Sequence, residues 1–312
     1  MNSASAPGKV ILFGEHAVVY GRPALAVPVT QVQATVEMWP SEYRGVWIEA
    51  PSIRLKAELR TLEVDHPMAI TLRTLFSSLE VDPVPNLNIR ILSTIPVASG
   101  LGSGAAVSVA LIRAMCSYMR RSISSDEVNK IAFRMEKLYH GTPSGIDNTV
   151  ITYAKPVYFV RGKPIETFKP RHAFTLIIGD TGVSAPTKEA VADLHKLWEE
   201  DRRTWEEVFS EVGMIVNDAR HAIEYGKLRE LGELMDRNHA LLQQMTVSSP
   251  ELDRLVEAAR GAGALGAKLS GGGRGGNMIA LADPSLPDKK LTSMQQSLLL
   301  AGARRVITTR VK

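Results

Sequence analysis

Apolar and polar residues alternate along Leu87-Asn88-Ile89-Arg90-Ile91-Leu92, a period of two that predicts a strand. The same reading gives a short apolar strand at Val10-Ile11-Leu12-Phe13, a longer one over residues 27–38 and another near 45–50, together an antiparallel sheet. Residues 67–79 carry an amphipathic helical pattern, and residues 107–115 are apolar all round, as a buried helix is. Ser124-Ser125-Asp126-Glu127 supplies a serine N-cap and two acids for a helix that runs to Tyr139. Residues 140–148 then read as a polar loop in which Asp147 is placed to cap the next helix.

Further along, residues 157–160 and 174–179 read as strands, and residues 187–245 as charged helices with solvated faces. Ser249-Pro250-Glu251 opens a helix that Gly261 closes. A glycine cluster over 261–278 leads into the strand Ile279-Ala280-Leu281, and residues 303–311 form a last strand. The proline-rich and basic stretch at 155–170 suggests a boundary between two domains, 1–160 and 161–312.

Between the strand at 87–92 and the helix at 107–115 stands Pro96-Val97-Ala98-Ser99-Gly100-Leu101-Gly102-Ser103-Gly104-Ala105-Ala106. Three glycines there leave backbone N–H groups open at the positive end of a helix, a place suited to phosphate. A membrane span fits poorly, because Pro96, the glycines and the serines break an otherwise uncharged run. Gly100, Gly102 and Ala105 satisfy a dinucleotide-type G-x-G-x-x-A, but Met119-Arg120-Arg121 stands where an acidic residue is needed. A tight turn with no ligand stays open on the residues alone.

Composition narrows the picture further. With 312 residues, 45% apolar and 22% charged, the chain has the make-up of a soluble globular protein large enough for two domains. A net charge of +4 without a lysine or arginine block argues against a nucleic-acid partner and leaves room for an anionic substrate. Cys116, the single cysteine, excludes an internal disulfide and reads as a core residue. Residues 1–7 show neither a basic start nor an apolar stretch, so the expectation is a cytoplasmic enzyme with no membrane partner.

Four separated segments together resemble the mevalonate kinase family of the GHMP small-molecule kinases, in its compact archaeal and bacterial form. They are Ser5-Ala6-Pro7-Gly8-Lys9 with Gly14-Glu15-His16-Ala17-Val18-Val19-Tyr20-Gly21, the 96–106 loop, Glu136 with His140-Gly141-Thr142-Pro143-Ser144-Gly145-Ile146-Asp147-Asn148, and the glycine motif at 263–276. The Asn238-His239 region also looks similar to the family. The resemblance implies an α+β fold of two domains, an N-terminal ribosomal S5-like domain and a C-terminal ferredoxin-like domain. It implies ATP-dependent phosphorylation of mevalonate at the C5 hydroxyl, with a related kinase acting at C3 or on phosphomevalonate, or a weakened metabolite-binding relative, as alternatives.

By position, the resemblance makes Asp147 the general base and Lys9 its supporting cation. Ser93, Ala98, Ser99, Gly100, Leu101, Gly102, Ser103, Gly104 and Ala105 fall at the ATP loop, and Glu15, His16 and Thr187 at the mevalonate end. Glu136 and Ser103 are the implied ligands of Mg²⁺, and a homodimer is the implied assembly. Two departures stand out. Gly104 occupies a position where the family has a metal-binding serine, so that Ser103, a water, or Glu136 with the phosphates must serve instead. Arg274 and Asn277 stand where glycine and cysteine are usual, and Arg274 either reaches a phosphate or is solvated.

Overall fold

Alternation along β2 (Ala24–Pro40) sets the first sheet: Val32, Ala34, Val36 and Met38 are buried while the residues between them face outward. Met38 pairs with Ile89 of β5 (Leu87–Ser93), and Ile89 pairs with Ile48 of β3 (Val46–Ala50), so one apolar row crosses three strands. The computed structural model describes the chain from Met1 to Lys312 apart from residues 97–98, 141–142 and 185–186 and the side chains of Tyr139, His140 and Thr187. The expected Ala98 contact and the Thr187 side chain therefore lie outside the described residues.

The chain forms two compact units, one of Met1–Gly8, Val32–Val97 and Leu101–Ala154, the other of Lys9–Gln31, Ala98–Gly100 and Lys155–Lys312. Both β1 (Asn2–Phe13), which pairs with β2, and β2 itself contribute residues to each unit.

In the first unit the strand order is β4 (Leu55–Glu58), β3, β5 and the C-terminal part of β2. The β3–β5 pair is parallel and the others antiparallel. Its helices are α1 (Pro67–Ser78), α2 (Ser103–Tyr118), α3 (Ser125–His140) and α4 (Ile146–Tyr153). α2 is the central helix, with Val109, Ala110, Leu111, Ile112, Ala114, Met115 and Cys116 all buried. α3 starts with a reciprocal cap, in which Glu127 N–H donates to Ser124 Oγ at 3.2 Å and Ser124 N–H donates to Glu127 Oε2 at 3.0 Å. α4 begins inside the stretch expected to be a loop. Its N-cap is Gly145 at φ 91°, so Asp147 lies within the first helical turn and is not the cap.

In the second unit, residues 24–29 of β2 are buried on both faces and pair through residues 24–26 with β6 (Val157–Phe159), which pairs with β7 (Glu166–Thr167). A separate antiparallel sheet has the order β11 (Arg305–Val311), β8 (Phe174–Asp180), β10 (Asn277–Leu281), β9 (Gly266–Ser270). Helices α5 (Thr187–Glu200), α6 (Arg202–Tyr225), α7 (Leu228–Gln244) and α8 (Pro250–Gly261) connect β8 to β9, and α9 (Asp288–Leu300) connects β10 to β11. This βαββαβ order is the ferredoxin-like arrangement. β9 was hidden within the glycine cluster because one of those glycines is a packing device: a Cβ on Gly266 would stand 2.0 Å from the Gly232 carbonyl oxygen on α7. Among the described residues no helix is long and apolar enough to cross a membrane.

Candidate active site

In the first unit, α2, α3 and α4 pack on one another, and each brings one of the expected groups. The first α-helical bond of α2 runs from Ala106 N–H to Gly102 O at 2.9 Å, which leaves the N–H groups of Ser103, Gly104 and Ala105 with no intrahelical acceptor. Gly102 reaches the helix through φ 76°. Leu101 and Ala105 are buried, so their side chains anchor the loop. Ser93 closes a small turn at the end of β5, where its Oγ accepts from Ile95 N–H at 3.2 Å.

Glu136 is a buried carboxylate near the end of α3, and a Cβ placed on Gly104 would stand 3.7 Å from its Oε1. The structure thus brings Glu136 and the first turn of α2 together. That is ordinary van der Waals spacing, so the missing side chain leaves room beside the carboxylate. A hard cation takes oxygen ligands and keeps waters, so a buried carboxylate beside an open first turn fits Mg²⁺. Among the described residues no group of three His, Cys, Asp or Glu gathers as a metal site.

In the second unit, Lys9, Glu15 and His16 are all buried. Glu15 is paired with Lys268 in the middle of β9, and both are at most 1% exposed. The Lys268 Nζ also donates to Leu269 O at 2.6 Å, while among the described residues Glu15 Oε2 is left without a hydrogen-bond partner. Burial pushes the Glu15 pKa up and the Lys268 pKa down, and their mutual attraction opposes both shifts. The pairing partner of Glu15 was missed in the sequence because 253 positions separate the two residues and no local pattern links them.

His16 sits at φ 60°, outside the usual range for a side-chain-bearing residue. Its Nε2 lies 3.1 Å from Gly272 O, so Nε2 carries the proton and Nδ1 is the acceptor. Nδ1 is buried and has no partner among the described residues. Burial, with Arg274 and Lys268 adding repulsion against a bond from Gly272 that favours the charged form, lowers its pKa to about 4. His16 is therefore neutral near pH 7. Support from behind comes from α7: His239 Nδ1 accepts from Leu269 N–H at 3.3 Å and its Nε2 lies 3.2 Å from Asp253 Oδ1.

The glycine turn at 271–276 is locked by backbone contacts. Arg274 N–H donates to Val247 O at 2.8 Å and Gly276 N–H to Val183 O at 2.9 Å. Asn277, one of the two departures, donates from its Nδ2 to Ser99 O, within the same unit.

Comparison with known proteins gives the family directly. The model of the GHMP kinases N terminal domain matches residues 68–155, and that of the GHMP kinases C terminal domain matches residues 219–298. The mevalonate kinase of Pyrococcus horikoshii is 38% identical over 299 residues, covering 89% of this chain and 88% of its own. The chain belongs to the GHMP kinases. Within that family its likeness to mevalonate kinases runs nearly end to end. The Thermococcus sibiricus mevalonate kinase is 36% identical over 98% of this chain and 95% of its own. The solved mevalonate kinase of L. major, in complex with R-mevalonate, superposes with a TM-score of 0.87 at 30% identity, covering 100% of this chain and 96% of that one.

As a GHMP kinase, the chain uses ATP as phosphoryl donor and has the two-domain α+β fold that the motifs implied. Arg274, the other departure, pairs through Nη1 with Asp193 Oδ2 on α5 at 2.7 Å. Among the described residues it is neither simply solvated nor poised alone for phosphate.

Proposed function

We propose that this GHMP kinase transfers the γ-phosphoryl group of ATP to the C5 hydroxyl of mevalonate, giving 5-phosphomevalonate and ADP. The observation that carries the proposal is the full-length likeness to a mevalonate kinase solved with R-mevalonate, at 30% identity and a TM-score of 0.87. The resemblance at single positions supports it, since Lys9, Glu15, His16, Glu136 and Asp147 lie in the segments that resemble the family's motifs.

In this reading the C5 oxygen bonds to the γ-phosphorus as the bond from that phosphorus to the ADP oxygen breaks, and Asp147 takes the hydroxyl proton. An aspartate is a weak base for an alcohol, so Asp147 first orients the hydroxyl and accepts the proton late, once the new P–O bond is forming. Lys9 offsets charge on the transferring group, and the open N–H groups of Ser103, Gly104 and Ala105 bind phosphate oxygens. Glu136 and Ser103 would hold Mg²⁺, which supplies further neutralisation of phosphate charge when bound. Glu15 and His16 orient the mevalonate end, as does Thr187. A homodimer is part of the same proposal.

Incubation with ATP, Mg²⁺ and mevalonate, read by phosphorus NMR, tests it. A phosphomonoester at C5 is expected, whereas a C3 product or no turnover on mevalonate rejects the reading. Asp147→Asn is expected to lower turnover by about 10²–10⁴-fold while ATP binding, followed by calorimetry, stays near wild type.

A further inference from the structure

Arg274 presents a contradiction between backbone and side chain. Its φ is 56°, in the left-handed region where glycine sits without a steric cost, and its neighbours Gly273 and Gly275 are also at positive φ. An arginine at such a position is explained by what its side chain reaches. Nη1 donates to Asp193 Oδ2 at 2.7 Å, and the backbone N–H of the same residue donates to Val247 O at 2.8 Å. Asp193 lies on α5, and α5 is held on the Tyr20 side by ring contacts of Tyr20 with His195 and Trp198.

Two residues before Arg274, Gly272 offers the carbonyl that fixes His16. The chain of contacts is therefore Asp193 to Arg274, along the turn to Gly272 O, and on to His16 Nε2–H. Whatever meets His16 Nδ1 must be a donor, because the proton on Nε2 leaves Nδ1 as a lone pair. A hydroxyl of the substrate meets that need and a carboxylate does not. If the turn shifts, Gly272 O no longer selects the tautomer and Nδ1 loses its definition as an acceptor.

We propose that Arg274 is a positioning residue: by tying the glycine turn to Asp193 on α5, it keeps Gly272 O on His16 and thereby presents His16 Nδ1 as the acceptor for a substrate hydroxyl. The pair is about one-third exposed on the arginine side and 43% exposed on the aspartate side, so its effect on stability is small and its consequence is orientation. The role rests on the mevalonate kinase reading for the identity of the hydroxyl, and on the described geometry for the rest.

The test compares Arg274→Gly, which suits the backbone and removes the side chain, with Asp193→Ala, the double variant and Arg274→Lys. Each single loss is expected to raise the KM for mevalonate about 3- to 5-fold, with smaller changes in kcat and in the KM for ATP. The double variant is expected to match a single one, and Arg274→Lys to recover part of the loss. Nitrogen-15 NMR of labelled histidines should show a single Nε2–H tautomer of His16 in the parent and a tautomer mixture in both single variants. Additive effects in the double variant, an unmoved KM for mevalonate, or an unchanged His16 tautomer would overturn the proposal. If the parent does not phosphorylate mevalonate, the function reading fails, and the tautomer measurement alone then decides the role of Arg274.

Discussion

Two glycine-rich segments of this chain look alike in sequence and are used in opposite ways. At residues 100–104, a Cβ added to Gly100 or Gly104 would meet its nearest neighbour at 3.7 Å, an ordinary contact. At residues 271–276, a Cβ on Gly273 would stand 1.8 Å from Val247 O and one on Gly275 would stand 2.5 Å from Val183 O, both backbone atoms. The first segment uses glycine to leave space around backbone donors, and the second, at Gly273 and Gly275, uses it to let backbone touch backbone. Glycine content alone therefore does not identify a phosphate cradle. What an added Cβ would strike separates a cradle from a joint.

The largest expected effect comes from filling the joint. Gly273→Ala combines a backbone clash with φ 76° and should cost on the order of 5 kcal/mol in denaturant unfolding, or prevent folding. Unchanged stability would mean that the turn is not a joint. Next is Lys268→Met, on the strand leading into the same turn, which would strand the buried Glu15 carboxylate and should cost about 4 kcal/mol. Adding Glu15→Gln should return much of that loss, and an equal loss in the double variant would refute the pairing.

Acid offers a third way to loosen the joint, because His16 is held by the turn itself. His16 and His239 each fall from 6.5 to about 4 in the folded chain, chiefly through burial. Between those values the unfolded chain binds more protons, so stability is fully present above about pH 6.5 and is lost as pH falls toward 4. The loss is on the order of 3 kcal/mol for each histidine, measurable as a falling denaturation midpoint. A flat midpoint across that window would contradict the buried neutral state.

The smallest effect belongs to the cradle. Gly104→Ser should leave the fold intact and stabilise α2 by about 0.5 kcal/mol through helix propensity. It should also lower the Mg²⁺ concentration needed for half-maximal turnover, by adding a hydroxyl beside Glu136. An unchanged Mg²⁺ dependence would place the metal away from this position.

The elements with a continuous apolar stripe or run were legible in the sequence. β5 carries a clear period of two, α2 an unbroken apolar run, and the Ser124 and Ser249 caps mark real helix starts. α9 was not legible because only Met294 and Leu298 of its thirteen residues are buried, too thin a stripe to produce a period. β9 was masked by its glycine and by Lys268, a charge in a wholly buried strand that makes sense only once Glu15 is beside it. Asp147 was singled out by motif, but its place in a helical turn depends on Gly145 in the left-handed region, which a polar run does not reveal. The site residues read from the sequence come from local motifs, and the partners that hold Glu15 and His16 come from distant ones.

That distance has a consequence for how the protein is made. Residues Lys9–Gln31 are synthesised well before Lys155–Lys312 yet belong to the same unit. Glu15 must wait for Lys268 before its charge can be buried with a partner, and the Gly-Glu-His segment cannot settle until β9 emerges. Such late pairing raises contact order and slows folding, and it leaves an apolar strand, Val10–Phe13, waiting in the nascent chain for its partners. Folding of this enzyme thus closes, in effect, a ring between the Lys9–Gln31 segment and the Lys155–Lys312 segment.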